Sequence, residues 1–288
     1  MKTYEDIWYQ SSDGLRLYAR DYSCRDPIDI PGTPILCMHG LTRNSADFSS
    51  LAQHLSNSHR VISVDQRGRG NSEYDSVIAN YKPMTYVRDM FTLLDTLELE
   101  RVILIGTSMG GLMSFFMCAK QPQRISAMVI NDIGPEVDPV GLNRIKSFVG
   151  NAEPVTTWAE AVAQARTINE ATCPDFNDQQ WSDFARALYK DVDGVPVLAY
   201  DPAIAQPMGS AEPGAAPPDL WPVFEACAGT PMLVIRGAIS DILAPECMAQ
   251  MHLRKADLQS VEVPRCGHPP TLDEPQSRTA IDQFLGGL

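Results

Sequence analysis

No stretch of this sequence stays apolar over the ~20 residues that a helix needs to cross a bilayer, so no membrane-spanning segment is expected. Lys and Arg number 23 against 36 Asp and Glu, a formal net charge of −13, and the basic residues nowhere gather into a run. That argues against the phosphate-tracking surface of a nucleic-acid binder and weakens attraction to anionic lipid. The opening residues lack the apolar core and small-residue cleavage site of a secretory leader, so the cytoplasm is the expected location. The 7 cysteines (Cys24, Cys37, Cys118, Cys173, Cys227, Cys247 and Cys266) are scattered, with no C-x-x-C pair and no grouping with the 5 histidines. Reduced, mostly buried thiols are the expectation, with neither a disulfide framework nor a metal site.

What is there reads as an α/β protein. Short, continuous apolar runs alternate with helical spacing of apolar residues, the pattern of a mostly parallel sheet covered on both faces. Ile7 to Gln10 and Leu15 to Asp21, joined at Ser12-Asp13-Gly14, predict an edge hairpin. Pro34 to Met38, Arg60 to Val64, Val102 to Gly106, Ala127 to Asp132, Met232 to Arg236 and Ser260 to Val263 predict the strands at the sheet's centre. Helices are expected over Ser45 to Leu55, Met84 to Leu97, Met109 to Lys120, Pro245 to Arg254 and Pro275 to Leu285. The alternation stops at Gly134-Pro135. Residues 135–218 then read as an inserted cap with helices at Leu142 to Val149, Thr157 to Ile168 and Asp178 to Tyr189, and a strap at Ala211 to Pro218. The core is expected to comprise 1–134 and 219–288.

The sharpest chemical signal is Gly106-Thr107-Ser108-Met109-Gly110, a G-x-S-x-G placed between an apolar strand and a helical pattern. The glycines clear the sharp turn on which Ser108 would project its hydroxyl. At a helix start, the Met109 N–H is the first expected oxyanion donor, and Leu41, following Met38-His39-Gly40, is the second. A serine needs a base and a group to hold the base. Of the histidines, His54 and His252 fall in helical patterns, His59 abuts a strand and His39 belongs to the oxyanion turn. His268, in Cys266-Gly267-His268-Pro269, follows the last strand and is the candidate base. Asp241, after the strand ending at Arg236, is the preferred acid, and Asp132, at the end of the strand before the cap, is its rival. The loop from Asp65 to Ser72 reads as structural, with Arg67 and Arg69 in a solvated loop. Phe148, Trp158, Trp181 and Phe184 read as packing residues of the cap.

Taken together, the elbow, His39-Gly40, Asp65 to Ser72, Gly237 to Asp241 and Gly267-His268 make the chain resemble the α/β-hydrolase superfamily over roughly residues 1–135 and 220–288. The resemblance implies an eight-stranded, mostly parallel sheet flanked by helices, with a helical lid over Ser108. Esterases, lactonases and carbon–carbon bond hydrolases all belong to that superfamily; with Ser108 as nucleophile, the expected reaction is hydrolysis of a small-molecule ester or lactone through an acyl-enzyme without a cofactor, by a monomer or a homodimer. A carbon–carbon bond hydrolase of meta-cleavage type and a non-catalytic ligand binder are the alternatives. Relatives with Asp as nucleophile fit less well, because Ser108 stands at that position.

Overall fold

A computed structural model describes residues 3–24, 32–209 and 218–288; most of the expected strap, 211–217, lies outside the described residues. Strands β1 (Glu5–Gln10) and β2 (Arg16–Tyr22) form the predicted hairpin, closed where Gly14 takes a φ of 86°. There follow β3 (Gly32–Met38), α1 (Ser49–Leu55), β4 (His59–Asp65), α2 (Pro83–Thr96), β5 (Val102–Thr107), α3 (Met109–Lys120) and β6 (Ile125–Asn131). The chain then runs through α4 (Pro139–Phe148), α5 (Trp158–Asn169), α6 (Asp178–Leu188), β7 (Tyr189–Val192), β8 (Val195–Leu198) and α7 (Gln206–Gly209). It returns through α8 (Trp221–Glu225), β9 (Met232–Gly237), α9 (Pro245–Arg254), β10 (Gln259–Val263) and α10 (Pro275–Gly286).

Eight strands form one sheet in the order β1-β2-β4-β3-β5-β6-β9-β10, with β2 antiparallel to both neighbours and the rest parallel. Side chains alternate along the central strands. Leu36, Met38 and Leu104 enter a core that includes Leu93, Met113 and Phe224, whereas Ile35, Cys37, Ile103 and Ile105 enter a second core with Leu51, Leu55 and Phe284. Burial on both faces is why these strands carry no polar alternation. One strand departs from expectation: β10 is the sheet's edge rather than part of its centre, with Gln259, Ser260 and Glu262 exposed.

Between β6 and the described return at Pro218, the three expected helices are present, two of them opened by reciprocal caps, Thr157 with Glu160 and Asn177 with Gln180. The hairpin β7–β8 was not anticipated. Its signal was the Asp193-Gly194 pair, both residues at positive φ, as a two-residue hairpin turn requires. This segment touches the loops at the carboxyl ends of the sheet. Asn44 Nδ2 donates to the Ala187 carbonyl, Gly70 N–H to Ala199, Gly141 N–H to Asp241 and Gly267 N–H to Thr172. No helix among the described residues is long and apolar enough to span a membrane.

Candidate active site

Strand β5 delivers Ser108 into the turn before α3 with φ 53° and ψ −113°, a conformation costly for a residue with a side chain and characteristic of functional turns. Glycine is obligatory on either side. A Cβ on Gly106 would lie 2.3 Å from the Gly110 carbonyl oxygen, and one on Gly110 would lie 2.0 Å from that of Met38. At Gly111 it would meet Ile133 at 2.4 Å, so α3 packs close against the sheet because this position is bare.

The Ser108 hydroxyl is 2.9 Å from His268 Nε2, and His268 Nδ1 is 2.8 Å from Asp132 Oδ2. The aspartate on this histidine is therefore Asp132, which corrects the expectation that Asp241 fills that place. Two local facts explain it. Asp132, just past β6, adopts φ 57° and is fully buried, turned toward the loop after β10. Asp241 is half-buried and is bound bidentately by Arg144 of α4, at 2.6 and 2.8 Å; that guanidinium holds its carboxyl below the usual range. Asp132 accepts a bond on Oδ1 from the Gly237 N–H at 2.8 Å and a further bond on Oδ2 from the Ser240 hydroxyl at 2.6 Å.

Leu41 and Met109 flank the serine. Met109 opens α3, where the first amides have no acceptor within the helix. A Cβ on Gly40 would be 3.7 Å from that of Ser108, which sets the Gly40–Leu41 peptide beside the hydroxyl. His39 fixes that peptide. Its Nε2 lies 3.0 Å from the Gln66 N–H and can only accept, so the proton sits on Nδ1 and is donated to the Gly40 carbonyl at 2.6 Å. Carbonyl and N–H of one trans peptide point in opposite directions, so holding the Gly40 oxygen aims the Leu41 N–H the other way. Burial pushes the His39 imidazole down to about 3, which keeps it neutral. Arg69 secures the next carbonyl, donating from Nε to Leu41 at 2.9 Å.

Arg67 and Arg69 are both fully buried, not solvated as the sequence suggested. Arg67 binds Asp13, Asp75 and Asp89, and Arg69 binds the Tyr86 hydroxyl and the Arg67 carbonyl. The clue in the sequence was the length of two arginines in a glycine-rich loop, which reaches back through the core. The other histidines stay outside the site: His54 pairs with Asp282, His252 with Ser260, and His59 with the Thr33 carbonyl.

Ser108 and His268 open into a cavity of about 560 Å³ whose lining includes Leu41, Ile145, Phe148 and Phe184. Phe148 and Phe184 thus face the cavity, while Trp181 packs edge-on against Phe176 and Phe184. Three arginines line it: Arg43 is bound to Asp47, Arg144 to Asp241, and Arg186 lies 3.7 Å over the Trp158 ring with no carboxylate partner among the described residues. No group of His, Cys, Asp and Glu among the described residues has the arrangement to hold a metal ion.

Residues 33–275 match the family described as the alpha/beta hydrolase fold. The chain belongs to that family. Among α/β hydrolases, it is 36% identical to a 3-hydroxybutyrate-oligomer hydrolase of Cupriavidus necator over 89% of this chain and 90% of that one. It is 29% identical to a 2-(acetamidomethylene)succinate hydrolase of Mesorhizobium japonicum, covering 82% of each. A crystal structure of an alpha/beta hydrolase from Novosphingobium aromaticivorans superimposes over the whole of both chains with a TM-score of 0.92 at 41% identity.

Proposed function

We propose that this α/β hydrolase is a serine esterase in which Ser108 forms the acyl-enzyme, His268 is the base and Asp132 holds the base. The observation that carries the reading is the unbroken line of hydrogen bonds from Ser108 Oγ through the imidazole to a buried carboxylate, opening into an apolar cavity. His268 Nε2 takes the serine proton as Oγ attacks the carbonyl carbon, and the resulting oxyanion is met by the Leu41 and Met109 amides. The proton then passes to the leaving alkoxide, releasing the alcohol. Water, deprotonated by the same nitrogen, cleaves the acyl-enzyme and frees both acid and serine. The segment 135–218 acts as the lid, and the side chains of α4 and α6 form the wall facing the substrate.

A short hydroxy-acid ester with a free carboxylate is the substrate class that fits best. The relative named for 3-hydroxybutyrate oligomers spans nearly the whole chain, and Arg186, which lines the cavity together with Asp183, has no carboxylate partner among the described residues and is the cation available to such a group. The test is hydrolysis of the 3-hydroxybutyrate dimer, its methyl ester, a lactone and a set of chromogenic esters, each by the native protein and by Ser108→Ala. We expect Ser108→Ala to stay folded, lose fluorophosphonate labelling and lose roughly 10⁴-fold or more in turnover. Near-native turnover in that variant ends the serine reading. Equal kcat/KM for the dimer and its methyl ester ends the carboxylate assignment alone.

A further inference from the structure

The loop after β9, expected to supply the acid, carries the groups that hold the acid in place. Ser240 Oγ donates to Asp132 Oδ2 at 2.6 Å, while the Ile242 and Leu243 N–H groups both point at Ser240 Oγ from 3.2 Å. Amide N–H groups only donate, so both contacts occupy lone pairs of the hydroxyl. Its single proton is left with one destination, the carboxylate. Oδ2 is also the oxygen facing His268 Nδ1, and Oδ1 is committed to the Gly237 N–H. Asp132 therefore has one oxygen shared between a fixed hydroxyl and the imidazole.

We propose that Ser240 is a positioning residue of the active site, which sets Asp132 Oδ2 opposite His268 and, by sharing that oxygen, weakens its pull on the imidazole proton. The proposal rests on the reading of Ser108, His268 and Asp132 as a working triad. A hydroxyl that donates to a carboxylate disperses its charge, so an imidazolium beside it is stabilised less. Without the hydroxyl, the imidazolium forms more readily and the base is lost to protonation at higher pH.

Other charges near the pair come from four directions. Asp241 is bound to Arg144 of α4, and Arg236 of β9 is bound to Glu262 and the Leu243 carbonyl. Cys266, beside Asp132 in the loop after β10, and Cys173, between α5 and α6, have thiols pushed up by burial. Both thiols therefore stay neutral across the range where an ordinary imidazole titrates.

Ser240 is half-buried; Ser240→Thr keeps the donor and Ser240→Ala removes it. The experiment is the pH profile of kcat/KM for the native protein, both variants and Asp132→Asn on one chromogenic ester. We expect Ser240→Ala to lose roughly ten- to a hundred-fold, the scale of one charge-assisted hydrogen bond. Its acid limb should move to higher pH by roughly half a unit or more, with Ser240→Thr restoring both limb and rate. Ser240→Cys, a weaker donor of similar shape, should fall between and serves if the alanine variant does not fold. A rate loss with an unmoved limb assigns Ser240 a structural role and overturns the proposal, as does a native profile in Ser240→Ala. If Asp132→Asn is also fully active, the triad reading fails with it; if Asp132→Asn is inactive, only the claim for Ser240 falls.

Discussion

At the scale of single residues, two aspartates at the ends of neighbouring strands compete for one role, and their partners decide between them. Asp132 is fully buried with three donors on its carboxylate, one of them His268 Nδ1; Asp241 is spent on Arg144. Asp132→Asn should therefore cost roughly 10³–10⁴-fold in turnover, since an amide cannot hold an imidazolium or fix its tautomer. Asp241→Asn should retain most of the activity. Steady-state kinetics of the two on one ester checks this, and the reverse ranking would return the role to Asp241. The meeting of Ser108 with His268, the proposed nucleophile and base, was legible because their signals are local: a glycine-flanked serine between strand and helix, and a histidine directly after the last parallel strand. The acid was not. Both candidates follow strand ends on the same edge, and what separates them is a positive φ at Asp132 and an arginine 97 residues away in the chain from Asp241. Neither is written in the residues around the aspartate.

At the scale of elements, the strands and core helices were readable from periodicity, because each buries a continuous or striped apolar face. The β7–β8 hairpin was missed, since Val192, Val195 and Val197 are exposed and present no buried run. The same Arg144–Asp241 pair that sets the two aspartates apart secures α4 to the loop after β9. Gly141 completes that junction: its N–H donates to the Asp241 carbonyl, and a Cβ there would stand 2.2 Å from that oxygen. Gly141→Val must push α4 away from the loop, because a backbone carbonyl cannot be moved aside as a flexible side chain can. We expect faster hydrogen exchange across residues 139–148, with β5 and β6 unchanged, and a raised KM as the cavity wall formed by Ile145 and Phe148 shifts. Native exchange in α4 would show that the junction tolerates the added carbons.

For the whole molecule, the buried polar groups beneath the site tie activity to acid stability. His39 is fully enclosed, its two ring nitrogens committed to Gly40 and Gln66, and burial holds it down to about 3 against an ordinary value near 6.5. The unfolded chain therefore binds a proton at this residue between those values while the folded chain does not. The sign follows directly: its contribution to stability is fully present above about pH 6.5 and declines as pH falls from there toward 3. Asp13, held below the usual carboxylate range by Arg67, acts in the same direction only at lower pH, while burial raises the Asp65 and Asp89 carboxyls and so acts in the opposite sense; the histidine is isolated by comparison with a variant that cannot titrate at this position. His39→Asn keeps a donor for the Gly40 carbonyl but cannot titrate. Urea midpoints measured at about pH 7 and 5 should drop more for the native protein than for this variant, even though the variant starts from lower stability. Equal drops would mean that His39 takes up a proton in the folded state, on Nε2, which would break the contact with the Gln66 N–H while Nδ1 still donates to the Gly40 carbonyl.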